Sequence, residues 1–198
     1  MNRMNQRLSA AAGFSLIDMV AVMAVIATVS AMAVPQVVNV VDSLRLGISE
    51  RDVERELQFA RLKSVATQRP MRVRFDCPSA GQVRVVELLG TPTAPDANDG
   101  DNVSSRCSEV TYPYSPTGAD KSRLTRPNND GPVRTLYPGT TFVATQTLEF
   151  WPNGTVHAAC QNNCAASAQI GAVTLTLTRK GKSKNITVNG LGKIQMDR

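Results

Sequence analysis

"GFSLIDMVAVMAVIATVSAMAVP", residues 13–35, carries a single charge, Asp18, and follows a leader whose only charged residues are Arg3 and Arg7. The 21 residues from Phe14 to Val34 contain no other ionisable group. At about 1.5 Å per residue, a helix of that length crosses a hydrocarbon core of roughly 30 Å. A cleaved secretory signal has an apolar core of only roughly 7 to 15 residues followed by a small-residue cleavage site, so this run is too long for one. Arg3 and Arg7 keep the N-terminus cytoplasmic under the positive-inside rule, an asymmetry that Arg45 and Arg51 weaken. The rest of the chain is then expected on the periplasmic or exterior side.

Asp18 is the residue that needs a reason. A carboxylate inside a membrane segment is costly, and such groups are functional candidates with a partner to be named. Asp18 is either a boundary group among the lipid headgroups or the partner of a positive charge near the start of the segment. A cut after Gly13 would create such a charge, the free amine of Phe14.

The residues "GFSLIDMV" resemble the type IV prepilin signature. In that family a basic leader ends in Gly, a dedicated peptidase cuts after it on the cytoplasmic side, and the new N-terminal residue is N-methylated. The resemblance makes Gly13 the cleavage glycine, Phe14 the methylated residue and Asp18 the acidic residue five places into the mature chain, where pilins usually carry Glu. It also matches Pro35 to a proline common in pilin helices, where the missing backbone N–H kinks or locally melts the helix.

About 160 residues follow the anchor, enough for one ordinary core. Cys77, Cys107, Cys160 and Cys164 allow three pairings, of which 77 with 107 and 160 with 164 is the simplest in an oxidising compartment. A zinc site is the alternative, but paired CxxC spacing is missing and His157 is the only histidine. Beyond Pro35, Val53, Leu57, Ala60 and Ser64 recur at helical spacing and predict an amphipathic helix with a charged opposite face, loosened at Gly47 and ended by Pro70.

From residue 71 onward the pattern changes to β. "MRVRFD" (71–76) alternates, "QVRVVELL" (82–89) follows a turn, and "TLEFW" and "TVHA" flank the turn "PNG". "AVTLTLTRKGKSKNITVNG" predicts a hairpin turning at Lys180-Gly181, with Val173, Leu175 and Leu177 on one face and Thr174, Thr176 and Thr178 on the other, followed by a last strand. The Pro-, Gly-, Asn-, Asp- and Ser-rich stretch 90–138 reads as a long surface loop.

The order and spacing of "ELQFARLKSVATQRPMRVRF", "LEFWPNGTV" and "ITVNGLGKIQ" are similar to the GspH/FimT family of minor pilins and pseudopilins. That resemblance implies an α+β fold, pilin-like. A long N-terminal helix, membrane-spanning in its first half, packs on a mainly antiparallel β-sheet head. It divides the chain into a cleaved leader (1–13), a transmembrane and filament-core helix (14–35), its amphipathic continuation (36–70) and a periplasmic β-rich head (71–198). It implies a non-enzymatic subunit of a type IV pilus or a type II secretion pseudopilus, held in the bacterial inner membrane by a single pass before assembly. The implied partners are prepilin peptidase and other pilin or pseudopilin subunits, met through the N-terminal helix, where Asp18 would neutralise the Phe14 amine of a neighbour and set axial register.

Some FimT proteins bind DNA through a C-terminal Gly-Arg-x-Arg motif; the matching positions here are Gly192, Lys193, Ile194 and Gln195. The net charge of +6 is uneven: residues 133–198 are rich in Lys and Arg, and residues 76–132 are net acidic. Lys180, Lys182, Lys184 and Lys193 are therefore candidate DNA contacts acting by counterion release. The alternative is a solvated hairpin tip that discourages edge-to-edge aggregation.

No nucleophile–base pair, carboxylate pair or metal-ligand set stands out, so no enzyme, no metal and no cofactor is expected. His157 reads as a surface or strand-edge residue and Trp151 as packing. "DANDGD" (96–101) has oxygen ligands but no bidentate Glu at calcium-loop spacing.

Overall fold

The structure, a computed structural model, describes residues 15–90, 100–114, 129–159 and 169–197. Among the described residues one helix, α1 (Leu16–Thr67), leads into nine strands: β1 (Met71–Phe75), β2 (Gln82–Glu87), β3 (Val133–Thr135), β4 (Thr141–Ala144), β5 (Leu148–Phe150), β6 (Val156–Ala158), β7 (Ala172–Arg179), β8 (Lys182–Asn189) and β9 (Ile194–Met196). A 3-10 turn, Ser104–Cys107, precedes β3. The α+β expectation holds, with one refinement. The described residues of the head form two sheets, ordered β3-β2-β1-β5-β6 and β4-β7-β8-β9, and each of these pairings is antiparallel.

The chain divides into two units at Val41/Asp42. The first holds the apolar start of α1, which stays helical through Pro35. In the second, α1 presents Leu46, Val53, Leu57 and Ala60 to a core completed by Met71, Val73, Val83, Val85, Leu148, Phe150 and Val156 of the first sheet and Leu175, Leu177, Ile186 and Val188 of the second. This is the stripe expected from helical spacing, and Ser64 joins it fully buried, its hydroxyl donating to the carbonyls of Arg61 and Trp151. The helix ends because Gln68 turns to φ 54°, letting the Arg69 N–H reach back to the Ser64 carbonyl at 3.2 Å, and Pro70 cannot continue the ladder.

The hairpin is in register from Ala172↔Asn189 to Arg179↔Lys182. Its two central residues, Lys180 (φ 45°) and Gly181 (φ 77°), are both left-handed, the geometry that matches the twist of paired strands. Leu175 and Leu177 point inward, while Thr174 is exposed and Thr176 and Thr178 are half-buried.

Within the segment read as loop, β3 pairs with β2 and the 3-10 turn lies against the first sheet. Residues 100–112 cover the arginines that alternation places on the face of β1 and β2 away from the core. Arg72 donates to Glu149 (Nη2–Oε1 2.6 Å), to the Asp101 carbonyl and to Asn102. Arg74 donates to the Val103 carbonyl, and Arg84 to the carbonyls of Gly131, Arg106 and Tyr112. Arg106, fully buried, forks onto Asp130 at 2.8 and 3.2 Å. The Cys77–Cys107 disulfide holds the same segment to the end of β1. Cys160 and Cys164, the other expected bridge, lie outside the described residues.

Candidate functional site

The apolar part of α1 begins one residue after Ser15, and Asp18 sits in its first turn, where a negative charge suits the N-terminal end of the helix dipole. Its N–H bonds the Ser15 carbonyl at 3.0 Å. From Leu16 to Val40 every residue is exposed, including Ile17 at 72% and Met23 at 69%. Among the described residues this is the one helix long and apolar enough to cross a membrane. Water is an unfavourable environment for such a surface, so it calls for lipid or for other protein. Gly13 and Phe14, the expected processing site, lie outside the described residues.

The second group of candidates is the hairpin tip. Lys180 Nζ lies 3.1 Å from Oδ2 of Asp42, Lys182 Nζ donates to the Ser43 hydroxyl at 2.6 Å, and Lys184 Nζ lies 3.4 Å from Glu50. The structure therefore brings three of the four candidate lysines together along α1, each with an α1 partner. Lys193 is elsewhere. It follows Gly192, whose backbone packs against the Arg61 guanidinium, and Arg61 lies 19 residues beyond Asp42, about 28 Å of helix at ~1.5 Å per residue.

These contacts add to the reading of α1 as an apolar stripe with a charged opposite face: the head covers part of the charged side. Asp42, Glu50 and Glu56 are all buried and face basic residues of the head. Asp42 also accepts from Arg179 Nε at 3.2 Å, and Glu56 from Arg134 Nε at 2.8 Å. The hydrogen bond from Lys180, with Arg179 adding to it, holds the Asp42 carboxyl below its ordinary range against the opposing effect of burial. For Glu56 the balance reverses, and burial raises the carboxyl above its ordinary range despite Arg134. Burial likewise lowers the guanidinium pKa of Arg74 and Arg84.

The Tyr137 ring has two guanidinium groups within cation–π range, Arg45 at 4.8 Å and Arg179 at 5.2 Å from its centroid. Sequence reading missed this Asp42–Arg45–Tyr137–Arg179 cluster. Its one local signal was the Asp42 and Arg45 pair at helical i,i+3 spacing directly after the apolar run.

Of the remaining candidates, His157 lies on β6, as expected, with its ring 4.9 Å from that of Trp151 and its Nε2 2.8 Å from the Thr155 hydroxyl. Asp101, at the end of the calcium-like stretch, accepts the backbone N–H groups of Leu89 and Gly90. Among the described residues no three His, Cys, Asp or Glu side chains converge as metal ligands would.

No family model and no curated protein matches the chain. Among solved structures it is similar to the type IV minor pilin FimU of Pseudomonas aeruginosa in two crystal forms, at 14% identity and a TM-score of 0.44. The match covers 77% of this chain in both cases, and 93% of that chain in one form and 88% in the other.

Proposed function

We propose that this chain is a pilin-like subunit whose function is assembly: a minor pilin or pseudopilin that is cut after Gly13, methylated at Phe14, held in the inner membrane by α1 with its head in the periplasm, and then moved into a filament. The observation that carries the reading is the wholly exposed apolar stretch of α1 from Leu16 to Val40, whose sequence continues the Gly-Phe-Ser-Leu-Ile-Asp signature that starts at Gly13. Lipid covers that surface before assembly and neighbouring helices cover it afterwards. In the dry bundle Asp18 neutralises the Phe14 amine of an adjoining subunit. A misplaced register leaves both charges unpaired in a low-dielectric setting, which is strongly unfavourable.

The role of Asp18 is tested in a host that carries a pilus or secretion pseudopilus. Asp18→Ala should leave membrane insertion unchanged and lower recovery with other pilin subunits by at least about tenfold, the equivalent of ~1.4 kcal/mol, while Asp18→Glu retains it. Equal recovery of Asp18→Ala and wild type would remove the assembly role of this carboxylate. DNA uptake through Lys180, Lys182, Lys184 and Lys193 is the alternative function. It draws less support, because the fold separates Lys193 from the other three by about 28 Å along α1, so the four lysines form no single basic strip.

A further inference from the structure

We propose that the end of the head formed by the β7–β8 turn and the first turns of α1 after Val41 rests on anionic phospholipid headgroups of the bilayer that holds the apolar helix. The inference rests on the membrane anchorage proposed above. Its starting point is the sorting of charge at this end. The carboxylate of Asp42 is buried, with a side-chain exposure of 5%, while the cations around it reach solvent: Lys180 at 63% and Arg45 at 38%. Lys182 is half-buried beside Ser43, and Arg179 is buried against Asp42. What this surface offers outward is therefore positive.

Its apolar content suits the same partner. Leu44 is 62% exposed and Ile48 50%, on the turns of α1 that carry Arg45. Tyr137, 37% exposed and within cation–π range of Arg45 and Arg179, presents an aromatic ring with a polar edge, a residue type that concentrates at membrane–water interfaces. Position along the chain agrees. No charged residue lies between Asp18 and Asp42, so Asp42 and Arg45 are the first charges after the apolar run. Basic residues directly flanking a membrane span are attracted to anionic headgroups within a Debye length of the surface. A duplex tracking the head would instead favour a basic strip reaching Lys193, which the fold places about 28 Å further along α1.

The test uses the full chain reconstituted into vesicles of phosphatidylcholine alone or of phosphatidylcholine mixed with phosphatidylglycerol. Lysine acetylation rates are read by peptide mass spectrometry as the ratio of Lys180 to Lys193 within the same chain. Co-flotation with both vesicle types, with a ratio roughly fivefold lower on the anionic vesicles, the scale of one lysine's attraction to such a surface, and restored by high salt, supports the proposal. A ratio equal on both vesicle types overturns it. So does a ratio lowered by added double-stranded DNA on the neutral vesicles but not by anionic lipid, which would assign the tip to DNA. Failure of the chain to float with either vesicle type would instead overturn the anchorage on which the proposal stands.

Discussion

Asp42 of α1 accepts from Arg179 at 3.2 Å, joining the helix to the last residue of β7 across 137 positions of sequence. Lys180, the next residue, completes the pair from the other carboxylate oxygen. Because the folded-state pKa of Asp42 is lowered, its contribution to stability is present above the ordinary value of 3.8 and is lost as pH falls through the folded value. Asp42→Asn should therefore lower the Tm of the head at pH 7, and the gap to wild type should shrink as thermal melts are taken to more acidic pH. A constant gap across the acid range would contradict this linkage.

Glu56 should behave in the opposite sense. Its folded form takes up a proton more readily than the unfolded chain, so it adds stability as pH falls through the raised folded pKa, with the gain complete below the ordinary value of 4.5. Glu56→Gln removes this dependence and should leave the head at pH 7 equal to wild type or more stable by up to about 1 kcal/mol. Its partner Arg134 is 56% exposed, and such pairs contribute little. Urea melts at pH 7 check it, and a loss beyond about 2 kcal/mol would show that the pair is worth more than a surface ion pair.

Arg72 and Glu149 form a pair with both side chains only 2% exposed. Removing one partner strands a buried charge, so Glu149→Gln should cost about 3–5 kcal/mol, whereas Arg72→Met with Glu149→Leu should cost clearly less than either single change implies. A double-mutant cycle by denaturant unfolding measures the coupling, and simple additivity would contradict it.

The Cys77–Cys107 bridge closes a loop of 30 residues, for which chain entropy gives about 3–4 kcal/mol of stabilisation. Cys77→Ser with Cys107→Ser should lower stability by that amount and raise amide exchange most in residues 100–112, the segment that the arginines of β1 and β2 also hold. Uniform loss of protection across the head would show that the bridge does not act through that segment.

Much of this architecture was legible locally. The buried positions Val53, Leu57, Ala60 and Ser64, the Lys180-Gly181 turn and the strands at 71–75, 82–87, 148–150, 156–158 and 194–196 follow from periodicity and turn chemistry. The strands β3 and β4 lie in or directly after the Pro- and Gly-rich stretch 90–138, and each depends on a partner distant in sequence: β3 on β2, β4 on β7. Alternation could assign Arg72 and Arg74 to the face opposite Val73, but it carried no sign that residues 100–112 would cover that face. The burial of Asp42, Glu50 and Glu56 was hidden for the same reason. Their partners Arg179, Lys184 and Arg134 lie between 78 and 137 positions away.

Assembly as proposed depends on a new N-terminus next to Asp18, so the most direct measurement is intact-mass and N-terminal peptide analysis of the full chain extracted from the membranes of a host with prepilin peptidase. The account predicts a chain that begins at N-methylated Phe14, with Gly13→Ala slowing the cut and retaining the leader. A chain that still begins at Met1 in that host would contradict it.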